Sequence, residues 1–307
     1  MKTSQIDQYV EDNIDHIIKE RDMRKRVYHY TSLSTLFKIM EGIENGCFIF
    51  HAGSVYSMND KQEMLIGYNA IRKYLPIVED KLQIPKQERL SNLINGKSKN
   101  KTIKGKFGEW LINDDTTNFV VSFSASPNIL PMWALYGDRG TGVCLEFSPY
   151  EIENYYKEEG KEKTVRIMEC VYKKDDINER IISEIEIVYR LFSKLNDTEK
   201  KEQLVKAKYL AIMCGITGAF VKHQAFEYEQ EFRLNFFIHK DQWLFDKTQY
   251  GNHLVYAKVP IPTYALTDVI IGPAANYDEA KNPLILALRA KGIVIVPQRS
   301  EIPFRLY

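Results

Sequence analysis

Phe226–Leu234, FEYEQEFRL, sets Glu229, Glu231 and Arg233 at alternating positions between apolar neighbours. In an extended backbone alternate side chains share a face. The segment therefore predicts a strand from Tyr228 to Ile238, with two carboxylates and a guanidinium in one row and Tyr228, Phe232 and Leu234 on the other side. Carboxylates one residue apart repel unless something offsets them, and Arg233 is the internal partner. The same alternation also describes the solvated face of an edge strand.

Working outward, FVVSFSAS places Phe119, Val121 and Phe123 on one face and Ser122, Ser124 and Ser126 on the other. GVCLEFS repeats the habit, with Val143, Leu145 and Phe147 opposite Cys144, Glu146 and Ser148. In VYHYT, Val27, His29 and Thr31 share one side and Tyr28 and Tyr30 the other. Further strands are expected at CFIFHAG (47–53), His253–Pro260, Asp268–Gly272 and the closing IVIVPQ. Helical spacing marks residues 5–24, 33–40, 60–75, 85–94 and 279–291. From Asp176 to Lys222 the pattern turns helical, with Ile181, Ile185, Val188 and Phe192 on one stripe. The expectation is one α+β domain over 1–307, with a strand-rich mixed core, peripheral helices and a helical insertion at 174–222.

Composition narrows the classes. With 44% hydrophobic and 27% charged residues the chain is of the folded kind. A formal net charge of +1 removes the strongest electrostatic argument for a dedicated nucleic-acid binder. The run Asn95–Lys106 carries five lysines and no acid, and reads as a basic loop. The amino terminus reads as no signal peptide, and the apolar run Tyr209–Val221 is shorter than the about 20 residues of a bilayer span. A cytoplasmic protein without a membrane partner is expected. Cys47, Cys144, Cys170 and Cys214 are scattered, with neither a CxxC pair nor a histidine at ligand spacing, so no metal site is expected.

Three strands present polar groups on one face: His29 and Thr31, the serine row, and the Glu229, Glu231, Arg233 row. Were they neighbours, imidazole, hydroxyls and carboxylates would converge on one cleft. MWALY reads as an apolar helical turn that buries Trp133. In SMNDKQE, Asn59 and Asp60 read as a turn and helix cap, with Glu63 at the capping-box position.

The order of these motifs resembles the ADP-ribosyltransferase fold, especially the DNA-targeting toxins of that kind. YHYTSLSTLFKIMEGIENGCFIF has its opening: a histidine ending a first strand, a hydroxyl, a helix, a glycine and a second strand. VSFSAS and EYEQEFR stand where that fold has its serine-bearing strand and late glutamates. A second resemblance covers nearly the whole chain: YHYTS, SMNDKQE, VSFSAS, MWALYGDRGTGVCLEF, YEQEFR and IIGP are similar to a large bacterial family catalogued as a domain of unknown function. Phe226 stands where that pattern usually has tryptophan. That family recurs near phage-defence and abortive-infection genes, so the resemblance implies a defence setting, and with it a partner protein from a defence operon.

The transferase resemblance implies NAD as substrate and an activity as a toxin or anti-phage effector, by ADP-ribosyl transfer or NAD hydrolysis. Glu231 would stabilise the oxocarbenium-like state, and Glu229 would deprotonate or orient the acceptor, a nucleic acid or a protein. His29 would bind a ribose hydroxyl and the backbone of Tyr30 the carboxamide, with Thr31 beside them. Ser122 and Ser124 would support the glutamate or the ribose. Tyr136 or Trp133 would stack on nicotinamide, and Arg233 would bind pyrophosphate or neutralise the glutamates; the second, family resemblance adds Asn59 as a contact to NAD or the acceptor. Two other classes fit the residues: a metal-dependent nuclease effector, and a non-enzymatic sensor or partner-binding defence protein.

Overall fold

The computed structural model describes residues 26–55, 63–94, 116–158, 165–198, 200, 209–210, 218–247 and 253–304. The expected helix at 5–24, the SMND turn with Asn59, and the basic run Asn95–Lys106 lie outside them.

The described residues form a large mixed sheet with helices on its faces. Its strands are β1 (Val27–Thr31), β2 (Cys47–Ser54), β3 (Thr116–Ser124), β4 (Val143–Phe147), β5 (Arg166–Glu169), β6 (Glu231–His239), β7 (Leu244–Lys247), β8 (His253–Pro262), β9 (Leu266–Ile271) and β10 (Gln298–Arg299). The order is β10-β9-β4-β1-β3-β2-β8-β7, with β6 beside β3 and β5 beside β6. The β9–β10 pair is parallel and the other pairs are antiparallel. Strand β3 organises the sheet. All nine of its residues pair with β6, while its other edge is shared, Ser124 meeting Tyr28 of β1 and Phe119 and Val120 meeting β2.

One face carries the main core. Val27, Phe119, Val121, Phe123, Leu145, Phe147, Phe232, Leu234 and Phe236 join one apolar cluster, as the alternation predicts. Phe147 of β4 meets the rings of Phe48 and Phe50 of β2 at 6.3 and 5.9 Å. In a flat sheet those strands, three steps apart, would be separated by about 14 Å. The sheet therefore curls around this face.

Helix α1 (Leu33–Glu41) starts where Ser32 Oγ accepts from Thr35 N at 3.0 Å, and buries Leu36 and Met40 against the main core. Helices α2 (Glu63–Lys81) and α3 (Ser91–Ile94) pack with α6 (Lys174–Phe192) around a separate apolar cluster that takes in Ile181, Ile185, Val188 and Phe192. On the sheet face opposite the main core, α4 (Leu130–Leu135) lays Met132 and Trp133 over Tyr30, Cys144 and Ile270. Helices α5 (Pro149–Glu158) and α7 (Tyr277–Ala290) bury Ile152, Tyr156, Leu284 and Leu288 in the main core.

Three readings are corrected. IVIVPQ is a strand only at its end, where Gln298 and Arg299 meet Ile270 and Ile271; Val294 and Val296 before them are exposed. The strand expected from Tyr228 begins at Glu231, because Gln230 is left-handed and breaks the extended run. The helical reading of 85–94 resolves into a short 3-10 turn at Lys86–Glu88 and the single turn of α3. Most of 199–217 lies outside the described residues.

Candidate functional site

At the start of β6, Glu231 and Arg233 stand on the face opposite the main core, across from Ser124 and Ser122 of β3. The guanidinium grips Glu231 with two bonds, Nε to Oε1 and Nη2 to Oε2, both 2.9 Å. Its Nη1 donates to the Ala219 carbonyl at 2.8 Å. Glu229 is not on the strand. It ends a 3-10 turn, Gln224–Glu229, and Gln230 at φ 45° turns the chain so that Glu229 comes back over the same spot. The Oγ of Ser124 fixes that turn by donating to the Glu229 carbonyl at 2.8 Å.

Between the two glutamates lies Lys222, a residue the sequence reading passed over. Its ammonium donates to Glu229 Oε2 and to Glu231 Oε2, the latter at 2.8 Å, and sits 4.9 Å from the Phe226 ring. A hint was available. Phe226–Leu234 holds three glutamates and one arginine, so burying it calls for another cation, and Lys222 is close upstream. The quartet is neutral and sealed, at 4% exposure for Lys222, 3% for each glutamate and 0% for Arg233. Burial alone raises the Glu231 carboxyl, but Arg233 and Lys222 overcome it and bring it down to about 2. Burial alone lowers the Lys222 ammonium, and the two carboxylates outweigh it, with Arg233 opposing, and push it above the ordinary lysine value.

The two glutamates differ in what reaches them. Both oxygens of Glu231 are engaged by Arg233, and Oε2 also takes Lys222 and the Cys170 thiol at 3.8 Å. Its amide donates to Tyr172 Oη at 2.7 Å. Glu229 Oε1 instead accepts from the Tyr136 hydroxyl at 3.1 Å, and Tyr136 is 37% exposed. Burial, with Glu229 beside it, raises the Tyr228 hydroxyl. Both carboxylates are buried, but Glu229 is linked to the surface through Tyr136, while Glu231, expected to do the chemistry, is held on the inner side by Arg233. Arg233 neutralises the glutamates; completely buried and turned inward, it is out of reach of a pyrophosphate.

The expected convergence of three strand faces fails at β1. The strands do adjoin, but His29 lies on the main-core side, its ring edge-on to Phe50 and Phe123 at 5.1 and 6.0 Å. Its Nδ1 bonds the Ser122 carbonyl at 3.0 Å, and burial lowers its pKa. Thr31, two residues on along the same strand, is buried. Tyr30 is on the site's side of the sheet, but it packs edge-on to Trp133 at 5.0 Å and its hydroxyl holds the next turn, donating to Ser126 O and accepting from Ile129 N. Its backbone lies in the β1–β4 ladder opposite Cys144. Ser122 is half-buried opposite Arg233. Trp133 is buried, with Nε1 donating to Pro127 O at 2.9 Å.

Among the described residues no three metal-ligating side chains gather, and the paired charges of Glu229 and Glu231 are already matched by Lys222 and Arg233. No described helix is long and apolar enough to cross a membrane. Residues 132–234 match the family described as a protein of unknown function (DUF2971), a stretch that runs from α4 through the whole quartet. No curated protein and no solved structure matches the chain.

Proposed function

We propose that the protein cleaves the nicotinamide–ribose bond of NAD, passing ADP-ribose to an acceptor or to water, as an effector in phage defence. The observation that carries this reading is the Tyr136–Glu229 pair: a carboxylate held by Lys222, on a residue whose main-chain carbonyl is fixed by Ser124, and touched from the surface by the hydroxyl of an exposed tyrosine. The Tyr136 ring offers a face to nicotinamide, and Glu229 offers negative charge to the cation that develops on the ribose. As the C1′–N bond breaks, its electron pair leaves with nicotinamide, which departs neutral. The acceptor oxygen then bonds C1′ and yields its proton to Glu229 or to solvent. Glu231 and Arg233 position Glu229 through Lys222. The resemblance of the motif order to the ADP-ribosyltransferase fold supports this reading, and the family resemblance supplies the defence setting.

A second reading, a non-enzymatic partner-binding protein, is favoured by the same quartet, which is neutral and closed as a structural ion network would be. Nicotinamide release from labelled NAD, with and without DNA, RNA and cell lysate, separates the two. Release by the wild type that falls at least about 100-fold in Glu229→Gln, with the variant still folded at the assay temperature although it melts lower for want of one buried carboxylate, supports NAD cleavage. No release under any condition, with NAD failing to shift the melting temperature, sinks it and leaves the partner-binding reading.

A further inference from the structure

With Arg233 turned inward, that residue does not supply the cation that the phosphates of the proposed dinucleotide call for. The turn after Tyr136 supplies one. Asp138 and Arg139 are both left-handed, at φ 51° and 55°, and Gly140 follows at φ 88°. Two successive non-glycine residues in that region are strained, and such strain persists only where the surroundings impose it. Here they do. A Cβ on Gly142 would lie 2.3 Å from the Thr31 carbonyl oxygen, and one on Gly272 would lie 2.2 Å from that of Gly140. Gly272 N and Ala274 N donate to Gly142 O and Gly140 O, both at 2.9 Å, clamping the turn between the ends of β1 and β9.

The strained geometry leaves donors unused. The amides of Gly140, Thr141 and Gly142 bond back to Gly137 and Asp138 carbonyls. Among the described residues those of Asp138 and Arg139 find no backbone acceptor, and both side chains are exposed. The Arg139 guanidinium has no ion-pair partner among the described residues. Successive free amides in a tight turn make an anion-binding concavity, and a planar guanidinium beside them suits phosphate oxygens. Arg139 lies three positions after Tyr136, at most roughly 11 Å along the chain. The turn also lies within the stretch that matches the family, together with the quartet.

We infer that the Asp138–Gly140 turn and Arg139 form an anion site for the pyrophosphate of a dinucleotide, adjoining Tyr136 and Glu229; the choice of dinucleotide rests on the NAD reading. Asp138 is the adverse charge at the site, exposed and therefore screened by salt.

The test is calorimetric binding of ADP and of inorganic pyrophosphate to the wild type, Arg139→Gln, Arg139→Gly and Asp138→Asn, beside nicotinamide release. Arg139→Gln is expected to weaken ADP at least about tenfold and to raise KM for NAD with kcat held within about twofold. Asp138→Asn is expected to tighten ADP. Arg139→Gly relieves the strain, so it should melt no lower than the wild type while losing the anion. Equal ADP binding by the wild type and Arg139→Gln, or none by the wild type, overturns the site, as does a lowered melting temperature in Arg139→Gly. Arg139-dependent ADP binding without nicotinamide release would uphold the anion site and remove the NAD chemistry. Release with KM unchanged in Arg139→Gln would do the reverse.

Discussion

Replacing Lys222 with methionine keeps the aliphatic stem and removes one charge from a buried quartet that sums to zero. Glu229 and Glu231 then face Arg233 alone, leaving a net charge of −1 at a site where every member is at most 4% exposed. Breaking a buried pair by deleting one partner costs about 3–5 kcal/mol, because the surviving charge is stranded. For a chain of this size that is on the order of a 10 °C fall in melting temperature. The cost should be relieved by a second change. Lys222→Met with Glu229→Gln returns the site to neutrality, with Glu231 and Arg233 still bidentate, so the double variant should be more stable than Lys222→Met alone. Denaturant unfolding of the four proteins closes the cycle, and a coupling of at least about 1.5 kcal/mol is expected between residues in direct contact. A cost below about 1 kcal/mol for Lys222→Met, or effects of the two changes that simply add, would refute the buried-quartet argument.

Other consequences are open to measurement. Glu231 sits at about 2 against an ordinary 4.5, so it contributes stability above pH 4.5 that is lost as pH falls toward 2. The span amounts to about 3 kcal/mol, and Glu231→Gln should flatten that acid limb in a melting-temperature titration even though it lowers the stability at neutral pH. Tyr136→Phe removes one hydroxyl donor at the surface of the site and should leave the melting temperature within about 2 °C while lowering nicotinamide release on the order of tenfold; unchanged release would count against Tyr136 as a contact. His29→Leu should leave KM for NAD unchanged, because the ring faces Phe50 and Phe123 across the sheet from Glu229; a raised KM in a folded variant would return His29 to the site.

The legible part of the site was its acids. Glu229 and Glu231 between apolar neighbours announced a charged spot beside the core, and the lone Arg233 announced its partner. Two geometric facts were hidden. A left-handed Gln230 carries no composition signal, yet it lifts Glu229 off the strand and makes it the carboxylate that Tyr136 reaches. The strain at Asp138 and Arg139 was equally silent, since GDRGTG reads as an ordinary turn until the close approach of Thr31 and Gly272 is seen.

By itself the sequence determined which residues share a face, because alternation is a local property of extended backbone: Val27 with His29, Phe119 with Phe123, Glu231 with Arg233. Tertiary structure decided which face became core and which became site. The curl that brings Phe147 to Phe48 and Phe50 sends His29 into the apolar interior. The bridge of Val221 to Val171, just past the end of β5, brings the second cation to the glutamates. Those outcomes depend on contacts between segments far apart along the chain, whose positions no local pattern encodes.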